Sequence, residues 1–189
     1  MAVTTRSSDV NAPLFDRAAI LDHLTELNTA LAHQHAERVD LLVVGGSYLA
    51  LRGLRAGTRD IDTAHHLDVA AKLAIAAVAE RRSLPAHWLN DSARPFLPAD
   101  FDDARAEVDA VHSHLTVRVP NPDDVFLMKL NASRGEGDLA DLIRLWPTCS
   151  FANAYEVVSK YATAYPHEEP DPHLETYVAE RIIATSGPR

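Results

Sequence analysis

The stretch Leu41-Leu-Val-Val-Gly-Gly-Ser-Tyr-Leu-Ala50, followed by Thr58-Arg-Asp-Ile-Asp62, limits what this chain can fold into more than any other segment. An apolar run of strand length breaks at two glycines and a serine, and an amphipathic segment follows, which reads as strand, tight turn and helix. Two aspartates then appear one residue apart. On an extended strand, side chains at i and i+2 share a face, so Asp60 and Asp62 project side by side while Ile61 turns into the core. Two carboxylates held that close repel unless a cation sits between them, and a divalent ion with oxygen ligands such as Mg²⁺ is the usual solution. Gly45 and Gly46 let the backbone approach a ligand, and Ser47 falls where a helix N-terminus can hold phosphate. A phosphate cradle beside a metal-binding pair points to phosphoryl or nucleotidyl transfer.

The remaining chain supplies a frame for that turn. Helical spacing runs from Pro13 to about His35 through Leu14, Ala18, Ile20, Leu21, Leu24, Leu27 and Leu31. Strands are expected over Asp40–Val44 and Asp60–His65, with a helix from Ser47 to Gly53 between them. Asp68 is placed to cap an Ala-rich helix reaching about Arg82. Residues 85–103 are punctuated by proline and read as a loop with a short helix, an insertion over the site. Ala106–Val111 and His114–Val119 alternate as a hairpin turning near Ser113. Helical patterns follow from Pro122 to about Ala132 and over Glu136–Trp146, Phe151–Tyr165 and His173–Thr185. Pro166–Pro172 forms a rigid connector. The expected architecture is α/β (α+β): a small mixed β-sheet backed by helices, followed by a C-terminal helical bundle. Residues 1–12 read as a flexible N-terminal arm, 13–120 as the core and 121–189 as a helical subdomain.

With 47% hydrophobic and 24% charged residues, the chain has the balance of a soluble globular protein. No apolar run approaches the length of a membrane span, and no secretory signal pattern opens the sequence. Cys149, the single cysteine, has no partner for an internal disulfide, so a cytoplasmic location is expected. Ten histidines raise the question of zinc. Adjacent His65 and His66 face opposite ways on a strand, however, and His112 and His114 flank a turn. The net charge of −9 runs against a nucleic-acid partner, although Arg52, Arg55 and Arg59 cluster around the proposed site.

These residues also carry a family resemblance. Gly45-Gly-Ser47 followed by Thr58-Arg-Asp-Ile-Asp62 resembles the signature of the nucleotidyltransferase fold, the DNA polymerase β-like superfamily. Met128-Lys-Leu-Asn-Ala-Ser-Arg134 and Gly137-Asp-Leu-Ala-Asp-Leu142 resemble the second block of AbiEii/MenT-type nucleotidyltransferases, which are toxins of bacterial toxin–antitoxin systems. The likeness spans residues 38–146. It implies a metal site at Asp60 and Asp62, with Lys129 facing the triphosphate and Asp141 completing the site beside it. Gly45, Gly46, Ser47 and Arg59 would hold the nucleotide. Arg134 is placed to pair with the late carboxylates, and Asp138 shares a helix face with Asp141. Many relatives carry a third carboxylate on a later strand. The corresponding strand here, His114–Val119, has none, which leaves Asp109 as the nearest alternative. Tyr48 is a candidate platform for base stacking beside the phosphate loop.

The resemblance implies a Mg²⁺-dependent enzyme that transfers a nucleotide from an NTP to RNA, with the 3′ end of tRNA as acceptor and a cognate antitoxin as partner. A small-molecule or protein hydroxyl acceptor suits the acidic surface better. An inactive scaffold that only binds is the third possibility.

Overall fold

Residues 14–132 and 135–187 are described in the computed structural model. The expected N-terminal arm and Arg134 lie outside them. A five-stranded mixed sheet in the order β3-β2-β1-β5-β4 forms the centre. β1 (Val39–Val44) pairs in parallel with β5 (Leu115–Val119) and antiparallel with β2 (Ile61–Thr63). β2 runs parallel to β3 (Leu89–Asn90), and β4 (Glu107–Val111) closes the other edge against β5. Among the described residues there are seven α-helices: α1 (Arg17–His33), α2 (Gly45–Leu51), α3 (Val69–Arg82), α4 (Pro122–Ala132), α5 (Glu136–Leu145), α6 (Ala154–Ala164) and α7 (Leu174–Tyr177). The chain leaves α7 directly into a π-helical turn, Val178–Ile183. None of these helices is long and apolar enough to cross a membrane.

The two-residue period of β1 explains how the sheet is covered. Leu41 and Val43 face the main apolar cluster, which takes side chains from α1, α3, α4, α5, α6 and the π-helical turn. Leu42 and Val44 face a smaller cluster with Ala64, Ala106 and Met128, and Ala93, Phe96, Leu97 and Phe101 pack against it. β1 is buried on both faces, so its sequence is continuously apolar rather than alternating.

Local signals fix most of the ends. Asp16 and Asp68 cap α1 and α3, accepting from Ala19 N at 2.8 Å and Ala71 N at 2.7 Å. β2 is shorter than the expected Asp60–His65, and at its end the fully buried Thr63 accepts the N–H groups of Leu42 and His65 on its hydroxyl. α2 begins two residues earlier than expected, at Gly45, so Ser47 lies inside the first turn rather than at its cap. β3 falls within the segment expected to be a loop. Trp88 anchors it, being fully buried and donating from Nε1 to Ile75 O at 3.1 Å. The pattern over His173–Thr185 is split between the short α7 and the π-helical turn.

Trp88 therefore joins β3 to α3 and the main cluster. Trp88→Ala is expected to lower unfolding free energy by about 3–5 kcal/mol, the usual result of emptying a large aromatic site in a core. Urea denaturation followed by far-UV circular dichroism measures it, and a loss under about 1 kcal/mol would contradict this anchoring role.

Candidate active site

The turn from β1 into α2 is shaped by what lies against it. Gly45 has φ +63, and a Cβ there would sit 2.7 Å from Asp62 Oδ2. A Cβ on Gly46 would meet Thr58 Oγ1 at 2.7 Å and Arg55 Nη1 at 3.1 Å. The two glycines are thus required by the packing of the protein's own polar side chains against the turn. Ser47 is fully buried. Its hydroxyl donates to Val44 O at 2.7 Å and accepts from Asp62 N at 3.2 Å. The hydroxyl expected to face phosphate instead ties β2 to the start of α2, because the early start of the helix turns it inward.

Asp62 lies opposite Val44 in the antiparallel register, so its side chain emerges on the face of the smaller cluster. Burial pushes its pKa up to about 6, and the charge of Asp60 adds to the rise. A hydrogen bond from Asn90 and the Lys129 charge oppose it. Asp60, just before β2, lies 3.5 Å from the Thr58 hydroxyl.

Lys129 comes from α4 and is 14% exposed at its side chain. Its ammonium donates to Asp138 at 2.8 Å and lies 2.9 Å from Asp141. Burial disfavours its charge, but the two carboxylates overcome that and hold its pKa above the usual lysine value. Asp141, 3% exposed at its side chain, also meets Arg55 and Arg144, each at 3.3 Å. With three cations around it, Asp141 holds Lys129 and Arg55 in place rather than facing the cleft itself. Asp138 joins the same network from the first turn of α5.

An open cleft of about 660 Å³ is lined by Gly46, Arg55, Thr58, Arg59, Asp60, Asp62 and Lys129, with Leu14 at its edge. A neighbouring pocket includes Gly45, Gly46, Asp62 and Lys129. Gly45, Gly46, Arg59, Asp60, Asp62 and Lys129 therefore come together in this region, with Ser47 and Asp141 just behind its surface, whereas Arg52 points to a separate cavity beside Tyr48. Asp109 does not join them. It sits on the edge strand β4, three strand spacings or roughly 14 Å from β2, and lies 3.9 Å from Arg52. Tyr48 is buried, with the Arg52 guanidinium 5.9 Å from its ring centroid, and lines a separate cavity. His65 and His66 reach Asp103 and Asp91. Asn90 had no distinguishing signal in the sequence, because it acts through a fold contact, whereas Thr58 was legible as the first residue of the Thr58-Arg-Asp-Ile-Asp62 motif. Asp138 was legible only as a helix-face neighbour of Asp141.

The paired carboxylates, the opposing lysine and the glycine turn form one constellation. Residues 20–169 match the family described as nucleotidyltransferase of unknown function (DUF6036). The chain belongs to that family. No curated protein and no solved structure matches it.

For a DUF6036 nucleotidyltransferase the metal implied by the resemblance can be tested against the donors present. Among the described residues no group of three or more His, Cys, Asp or Glu side chains could hold an ion. Asp60 and Asp62 offer hard oxygen donors, and the raised pKa of Asp62 marks a place short of positive charge. Mg²⁺ typically binds through one or two carboxylates and completes its shell with water and substrate phosphates. The residues fit that mode.

Since the folded-state pKa of Asp62 lies above its unfolded value, folding favours the protonated form. Stability from this group falls as pH rises from about 4 to 6 and stays lower above that. Asp62→Asn, measured with chelator present, should raise stability at pH 7.5 by roughly 1–2 kcal/mol and change little at pH 4. Equal shifts at both pH values in thermal melts would refute the charge argument. Asp141→Ala should cost about 3 kcal/mol, because it leaves a buried lysine short of a partner, and chemical denaturation at pH 7 reads it directly.

Proposed function

We propose that this protein is an NTP-dependent, Mg²⁺-dependent nucleotidyltransferase. The observation that carries the reading is that Asp60 and Asp62 share one cleft with Lys129, Arg55 and Arg59. The carboxylates are placed for a cation, and the cations for phosphates.

The reaction joins an acceptor hydroxyl oxygen to the α-phosphorus, breaks the bond from that phosphorus to the β-bridging oxygen and releases pyrophosphate. The hydroxyl proton passes to the carboxylate pair. When bound, the metal supplies Lewis-acid polarisation of the phosphate oxygens. Lys129, Arg55 and Arg59 neutralise charge on the β- and γ-phosphates, where it builds up as pyrophosphate departs. Asp141 and Asp138 keep the Lys129 ammonium at one position, so little reorganisation accompanies the transfer. Gly45 and Gly46 leave room for the Asp62 and Thr58 side chains at the turn.

Within this reading the acceptor is RNA, with the 3′ end of tRNA as the expected target, and the protein acts as a toxin restrained by an antitoxin. The AbiEii/MenT resemblance of residues 38–146 supports this finer assignment, together with the arginines at the cleft. The net charge of −9 favours a small-molecule acceptor as the second reading.

Purified protein incubated with Mg²⁺, each NTP radiolabelled at the α-phosphate and total bacterial RNA should label a tRNA-sized band. Asp62→Ala should reduce that labelling by about 10²–10³-fold or more, and Lys129→Ala by about 10²-fold. Label on protein or on an added aminoglycoside would replace RNA as the acceptor. Absence of label on any acceptor, together with absence of NTP binding, would reject the transferase reading.

A further inference from the structure

Resting on the reading above, we propose that the apolar pocket beside Asp62 is the subsite for the nucleobase of the donor nucleotide. This pocket, about 170 Å³, shares Gly46, Asp62 and Lys129 with the polar cleft, so the two meet along one wall. Their remaining surfaces differ. The cleft adds Arg55, Arg59, Thr58 and Asp60, whereas the pocket adds Ala93, Phe96, Val125, Met128 and Ala132. A ligand that fills both needs a polyanionic end and a flat apolar end. A nucleoside triphosphate has that form.

The pocket is built to receive a ring. Phe96 is partly exposed and packs against the cluster of Leu42, Val44 and Met128, so one side of the phenyl is supported and part of it remains open. Met128 brings a polarizable thioether to the same wall. The segment that carries Phe96 is held at its far side: Tyr165 Oη donates to Phe96 O at 2.7 Å, and Ala99 N donates to Ala164 O at 2.8 Å. The aromatic surface therefore exists before a ligand arrives.

Apart from Asp62 and Lys129, the one polar side chain among the described residues lining the pocket is Ser92, whose hydroxyl engages Asn90 Oδ1. A serine hydroxyl rotates and can donate or accept, so it does not impose one base-pairing pattern. Stacking and size then dominate, and the four common NTPs are expected to bind within about tenfold of one another.

Calorimetry on the full chain with Mg²⁺ tests this, with ATP, GTP, CTP, UTP and inorganic tripolyphosphate as ligands. Wild-type protein should bind each NTP at least about tenfold more tightly than tripolyphosphate. Phe96→Ala should weaken NTP binding about tenfold and leave tripolyphosphate unchanged. Ala93→Phe, which fills the pocket, should do the same without lowering the melting temperature, so a folding defect in the first variant cannot imitate the result. Equal wild-type affinity for NTP and tripolyphosphate, or equal weakening of both by each variant, would remove the subsite and leave the transfer reading standing. Failure of every NTP and of tripolyphosphate to bind would remove both. A hundredfold preference for one base would overturn recognition by stacking and size.

Discussion

The contact between the Asp62 carboxylate and the Gly45 turn is the constraint on which the site depends. It goes with the pairing of Asp62 opposite Val44, demands a glycine at positive φ and sets the first turn of α2 beside the acid. The Ser47 hydroxyl completes the arrangement by linking the Val44 carbonyl to the Asp62 amide. Two segments of backbone distant in sequence, Val44–Ser47 and Asp62, are thereby locked around one charged group. The acid gains rigid placement at the expense of its solvation, and its raised pKa records that exchange.

A second electrostatic arrangement complements the first. Behind the cleft, Asp141 gathers Lys129, Arg55 and Arg144 into a compact network, and Asp138 adds a further contact to the lysine. A chain of net charge −9 can in this way present a local cluster of cations. Overall charge describes long-range behaviour, whereas the cleft is governed by groups a few ångströms apart, where solvent screening is weak. The two arrangements meet in one cleft, where Asp62 comes from β2, Lys129 from α4, and Arg55 and Arg59 from the loop between α2 and β2.

Much of this was legible in the sequence because it rests on short-range rules. The apolar run into Gly45-Gly46 marked the strand and turn, the Asp60–Asp62 spacing marked the pair, and Lys129 was indicated by the resemblance carried by Met128–Arg134. What escaped notice depends on distant contacts. β3 is two residues long, too short for any period, and is held by Trp88 against α3. Asn90 becomes a partner of Asp62 only through strand pairing. The inward turn of Ser47 follows from a two-residue shift in the start of α2, a boundary that local propensity does not define. Asp141 was recognisable as part of the site, but its burial among three cations, which makes it a positioning group, appears only in three dimensions.

The segment between β3 and β4 carries a consequence for turnover. Trp88 anchors it in the main cluster at its start, and hydrogen bonds to Tyr165 and Ala164 hold it farther along. A stretch fastened at both ends behaves as masonry rather than as a hinged door. Its conformational entropy is surrendered once, during folding, and not again in each cycle. In the proposed reaction, substrate and product would exchange through the open polar cleft without motion of this segment.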